Sequence, residues 1–135
     1  MKCKISLFKK MLLLLLSGST IYSCTYTKGE LAVDCTLPAS VSFSRDIVPI
    51  FTAHCTNSGC HNSSDWAGNL NLEAASAYSG LMQAGKGYID TLNPQYGVLY
   101  NKLTVSSSPM PPSGKLDACK VKLILKWMQQ DAKNN

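Results

Sequence analysis

The chain has 135 residues, 45% of them hydrophobic and 16% charged, with 13 Lys+Arg against 8 Asp+Glu for a net charge of +5. Four of the lysines fall within residues 1–10 and no acid does, so the remainder carries nine basic and eight acidic residues, a net +1. That balance leaves no basic stripe of the kind that binds nucleic acid, and the length suits one small domain.

Lys2, Lys4, Lys9 and Lys10 precede an apolar run over residues 11–16, and small polar residues then lead to Ile21-Tyr22-Ser23-Cys24. A basic start, a short apolar core and a small residue before the processing point describe a secretory signal. The run is too short to cross a bilayer as a helix. Cys24 sits where a bacterial lipoprotein signal places the cysteine that becomes lipidated; Ile21 and Ser23 fit such a lipobox, while Tyr22 is bulkier than usual. Ordinary cleavage, leaving Cys24 as a thiol, is the plainer alternative. The expectation is a signal over 1–23, a lipid-anchored tether over 24–40 and one domain over 41–135. The protein is then exported, to the periplasm or the outer surface, and tied to a membrane.

Residues 43–54 read as a short amphipathic helix with Ile47, Ile50 and Phe51 on one face. Ser44 is its expected cap, and Pro49 falls in the first turn, where a missing N–H costs little. Small polar residues break the helix at 55–59, and 62–69 is a loop rich in Ser, Asn and Gly. Asn71 is placed to cap a second helix, with Leu72, Ala75, Tyr78 and Leu81 or Met82 inward and Gly85 and Gly87 ending it. Pro94 begins a third, with Val98, Leu99 and Leu103 inward. Residues 106–113 cannot be regular, because Pro109, Pro111 and Pro112 remove donors and fix the backbone. The last helix runs from Leu116. Its apolar stripe is Cys119, Leu123, Ile124, Trp127 and Met128, its lysines Lys115, Lys120, Lys122 and Lys126 lie largely elsewhere, and Asp117 suits the helix dipole at its start. No strand alternation occurs. The expected class is all-α, three to four short helices with long loops wrapped around something.

Of six cysteines, Cys3 belongs to the signal, Cys24 to the lipid site, and Cys55 and Cys60 to a motif of their own. Cys35 and Cys119 remain, and export makes them a candidate disulfide; two buried reduced thiols are the alternative. A core of about a hundred residues is thin enough to need a staple or a cofactor.

Cys55-Thr56-Asn57-Ser58-Gly59-Cys60-His61 carries the chemistry. Two thiols with a histidine directly after the second is the arrangement that fixes a c-type haem. Each thiol adds to one vinyl group, and the histidine is carried under the iron as proximal ligand. The usual spacing has two residues between the cysteines; here there are four, small enough to loop outward, and Gly59 can take positive φ before the second attachment point. Three alternatives compete at this level. Zinc would need His54 as a fourth ligand beside Cys55, Cys60 and His61. A Cys55–Cys60 disulfide is a second, and a catalytic Cys–His pair, lacking an orienting third group, is the weakest. Met110 favours haem, since a thioether opposite the histidine fills the sixth position and raises the potential. It stands in Pro109-Met110-Pro111-Pro112, a stiff loop before the last helix. Met82 and Met128, on helix faces, read as gap fillers.

The run Phe43-Ser44-Arg45-Asp46-Ile47-Val48-Pro49-Ile50-Phe51, then Cys55 to His61, resembles the start of the exported bacterial monohaem cytochrome c domain family. Met110-Pro111-Pro112-Ser113-Gly114-Lys115-Leu116 resembles that family's methionine-ligand loop, and the helix with Trp127 completes a likeness over residues 41–133. The resemblance implies a cytochrome c-like fold and one covalent haem c. It implies attachment at Cys55 and Cys60, proximal His61, distal Met110 and electron transfer without enzymatic turnover. Leu70, Leu72, Leu99 and Leu103 are then candidates to line the haem crevice. Trp66, Tyr78, Tyr88 and Tyr100 are candidates to hydrogen-bond a propionate, and His54 is a helix-end residue. Expected partners are a redox protein or adjacent redox domain, with Lys115, Lys120 and Lys122 a weak docking patch, and no small-molecule substrate. The rivals are a haem enzyme or gas sensor with an open sixth position, and a haem-free, disulfide-stapled lipoprotein module.

Overall fold

The computed structural model describes residues 34–135. The expected signal, the lipidation site Cys24 and the tether up to residue 33 lie outside the described residues. Among those described there are four α-helices and no strand: α1 (Val48–His54), α2 (Ala77–Leu81), α3 (Val98–Thr104) and α4 (Ala118–Gln129). The domain is all-α, and none of these helices is long and apolar enough to cross a membrane.

A π-helical turn, Phe43–Ile47, runs directly into α1, so the expected helix over 43–54 is one continuous helical stretch with a wide first part. Pro49 sits in the first turn of α1. The cap is Ser42 rather than Ser44: Ser42 Oγ accepts from the Arg45 N–H at 3.3 Å, and Asp46 reaches back to accept from the Ser42 N–H at 2.8 Å. The wide turn needs one residue more than an α-turn, which moves the cap upstream. Hydrogen bonding by Arg45, then by the Ser42 N–H, holds the Asp46 carboxyl below its usual range. Ser44 instead donates its hydroxyl to the Asn135 carbonyl at 2.9 Å. Ile47, Ile50 and Phe51 are buried as the periodicity requires.

The second helix differs most from expectation. Asn71 Oδ1 does accept from the Glu73 N–H at 2.8 Å, but it caps only a turn, and α2 begins at Ala77. Restarting there shifts the phase of the inward face. Ala75 and Met82 are exposed, while Ala77 and Gly80 are buried beside Leu72 and Leu81. A Cβ on Gly80 would lie 2.9 Å from the Asn71 carbonyl oxygen, so that approach excludes any larger residue. Met82 therefore fills no gap; Met128, fully buried on α4, does. In α3, Leu103 is buried and Leu99 half-buried, but Val98 stands 38% exposed. α4 starts two residues later than expected because Asp117 caps it, accepting from the Cys119 N–H at 2.8 Å.

The centre of the core is aromatic. Phe43 lies 5.0 Å from Trp127 and 5.3 Å from Tyr78 between ring centroids, with Phe51 edge-on at 6.4 Å. Trp127 is fully buried and donates its indole N–H to the Lys133 carbonyl at 2.9 Å. Cys35 and Cys119 form the expected disulfide, their Cα atoms 5.5 Å apart and 84 positions separated in sequence. At the opposite end of α4, Gln130 Nε2 donates to the Ala39 carbonyl at 2.8 Å, so residues before 41 are held against α4 at both ends.

Closing so long a loop restricts the unfolded chain by about 4–5 kcal/mol in the chain-entropy account. The variant Cys35→Ser/Cys119→Ser is expected to lose that order of unfolding free energy in denaturant titrations. A loss under about 1 kcal/mol would mean the bond carries no such constraint.

Candidate functional site

Cys55 caps the end of α1, its N–H closing the last turn on the Phe51 carbonyl at 2.7 Å. The chain then loops out and returns. The Cys60 N–H donates to the Asn57 carbonyl at 3.0 Å, and the His61 N–H to the Cys55 carbonyl at 2.9 Å, closing the loop across its neck. Gly59 takes φ +78°, the left-handed region that glycine enters without strain.

A buried amide holds this loop in shape. Asn62 Nδ2 donates to the Asn57 carbonyl at 2.9 Å and to Asp65 Oδ2 at 2.8 Å, while its Oδ1 accepts the Ser64 and Asp65 N–H groups, each at 2.8 Å. Asp65 Oδ2 also accepts from the Gly59 N–H at 2.7 Å. The Asn62 hydrogen bond first, and the Gly59 N–H second, hold the Asp65 carboxyl below its ordinary range. Sequence reasoning passed over both residues. Their signal was the Asn-x-x-Asp spacing after the histidine, since such side chains bond backbone two or three residues on.

His61 is fixed at backbone and ring. Its carbonyl accepts from the Leu72 N–H at 2.8 Å, and its Nδ1 lies 3.3 Å from the Leu70 carbonyl. A carbonyl in that place favours the tautomer with the proton on Nδ1, which leaves Nε2 with its lone pair for a metal. Met110 is half-buried, and its N–H donates to the Lys102 carbonyl of α3 at 2.8 Å. Cys55, His61 and Met110 line one cleft of about 200 Å³. Phe51 and Leu81 line it with Leu70, Leu72, Leu99 and Leu103, the four leucines expected there. A smaller cleft of about 80 Å³ adjoins it, shared by Cys55, Cys60, His61 and Met110, with His54, the last residue of α1, at its side. Cys60 thus lines the smaller cleft and not the larger.

Cys55 and Cys60 are separate thiols. Burial, and then the neighbouring Cys60, push the Cys55 thiol up to about 11. Among the described residues no group of three or more His, Cys, Asp or Glu converges to hold a metal ion, so the four-ligand zinc set has no cage. Of the four aromatic candidates only Tyr88 lines the cleft, and its hydroxyl donates to the Gly68 carbonyl at 3.3 Å. Tyr78 is spent against Phe43, Tyr100 packs at the edge of the core, and Trp66 is 49% exposed with its indole N–H on the Ser63 carbonyl. Lys115 and Lys122 are exposed and Lys120 is half-buried. No carboxylate side chain lines either cleft. Apolar walls, an imidazole, a thioether and two adjacent thiols are a donor set that fits a haem.

Asn62→Ala removes the hydrogen bonds by which a buried amide braces the loop, an expected loss of about 1–3 kcal/mol in denaturant titrations. The Asp65 carboxyl, being depressed, contributes stability above its unfolded value and loses it as pH falls through the folded one. Unfolding free energy is therefore expected to fall below about pH 4. Asp65→Asn should flatten that acid limb; an unchanged limb would show that the stability change arises elsewhere.

No protein-family model, curated protein or solved structure matches this chain. The site's chemistry stands on its own geometry.

Proposed function

We propose that the domain has a cytochrome c-like fold, holds one covalent haem c and serves as an electron carrier, exported and tethered to a membrane through a lipid on Cys24. One observation carries the reading: His61 and Met110, 49 positions apart, line the same apolar cleft, with both thiols of the attachment motif beside them. Cys55 and Cys60 would hold the group by thioether bonds, with His61 and Met110 as its axial ligands. Bound there, the haem supplies a one-electron couple at its iron.

The chain's own residues do the rest. The Leu70 carbonyl orients the His61 ring, and the Lys102 carbonyl pins the Met110 backbone. Five leucines among the cleft's lining make its walls apolar, which disfavours the charged oxidised state and so raises the potential along with the thioether. No pocket for a substrate is needed; the partner is another redox protein or domain that approaches the cleft mouth.

Covalent haem that survives denaturation is expected when the chain is exported by a host able to attach it, and a colourless product overturns the reading. Cys60→Ala should sharply reduce covalent incorporation. Met110→Ala should retain the haem but lower the midpoint potential, axial ligands acting over a span of about 0.8 V. Rapid carbon monoxide binding by the reduced wild-type protein would instead favour a gas sensor or haem enzyme.

A further inference from the structure

The large cleft is lined by one cation. Lys102, on α3, is half-buried among Leu99, Leu103 and Val98. The other lining side chains able to donate through nitrogen or oxygen are engaged: Tyr88 on the Gly68 carbonyl, and His61 at Nδ1 beside the Leu70 carbonyl. The Lys102 ammonium has no hydrogen bond or ion pair among the described residues. A cation beside apolar walls, with no partner of its own, is the counter-charge available to an anion brought into the cleft. No Asp or Glu of the cleft lining can be that anion. The backbone of the same residue holds the Met110 N–H at 2.8 Å, so this charge is tied to the loop that carries the thioether.

We propose that Lys102 binds a carboxylate carried by the cleft's own ligand. Resting on the haem reading, that carboxylate is a propionate. Lys102 is then a positioning residue: it fixes which edge of the macrocycle lies by α3, and its charge favours the reduced iron.

The test uses the haem-loaded protein and a water-soluble carbodiimide. The reagent activates a carboxylate, a touching amine displaces the urea, and an amide forms with net loss of one water. The expected result is a crosslink between the haem-bearing peptide spanning Cys55 to His61 and the peptide containing Lys102, identified by mass spectrometry. Lys102→Gln should lower the midpoint potential, and Lys102→Arg, which keeps the charge, should restore it while giving no crosslink at this position. A lysine can also lay its stem on an apolar wall and keep its head in water. In that case the wild-type protein carries haem but yields no Lys102 crosslink, and the proposal is overturned. Absence of haem from the wild-type protein is a separate result, and sinks the electron-carrier reading itself.

Discussion

The packing of Phe43 against Trp127 is the contact on which the arrangement of the described domain depends. It joins the first helical turn to the last helix, with Tyr78 of α2 on the same ring, so one aromatic side chain ties three elements together. Aromatic pairs of this kind contribute about 0.5–1.5 kcal/mol beyond their buried area. Polar bonds reinforce the same junction: the Phe43 N–H donates to Asn135 Oδ1 and the Ser44 N–H to the Asn135 carbonyl, each at 2.9 Å. Because the π-turn continues into α1, fixing Phe43 also fixes where α1 ends. That end is Cys55. The disulfide joins the segment before the first helical turn to the first turn of α4, a second tie between the start and the end of the domain.

From that frame the site is assembled from three stretches, each tied to backbone rather than to another side chain. Cys55 is held by the final turn of α1, His61 by Leu70 and Leu72, and Met110 by the carbonyl of Lys102. Backbone anchored this way loses little further freedom when a ligand arrives, and preorganisation of that kind converts contacts into affinity. The Met110 N–H bond to the Lys102 carbonyl couples the loop to the helix that also supplies Leu99 and Leu103 to the cleft.

The sequence was most legible where one periodicity spans a whole element. Ile47, Ile50 and Phe51, and Ile124, Trp127 and Met128, could be assigned inward because each set recurs at helical spacing within an unbroken helix. It was least legible in α2, where a turn at 73–76 interrupts the count and moves the buried face from Ala75 to Ala77 and Gly80. No periodicity announces such a restart; the glycine inside a helical pattern was the available hint. The four leucines of the cleft could be named because apolar residues near the motif have few other places to go. Asn62 and Asp65 were passed over because a polar loop discloses its internal hydrogen bonds only once folded. Lys102 was passed over for a related reason. A lysine's charge gives no sign of whether it stands in water or against an apolar wall.

The wide cysteine spacing is best understood through the bond at the neck of the loop. The His61 N–H and Cys55 carbonyl, at 2.9 Å, bring the two ends of the motif together whatever the number of residues between them. Added residues then lengthen the loop without parting its ends. What lengthening threatens is stiffness, because each extra residue adds backbone freedom worth about 1–2 kcal/mol when fixed. Asn62 and Asp65 offset this by bonding into the added stretch at Thr56, Asn57 and Gly59. On the proposed reading, insertion and clamp belong together. A motif with two residues between its cysteines has little loop to hold and no need of the clamp, whereas this one needs a buried amide to keep Cys55, Cys60 and His61 in mutual register.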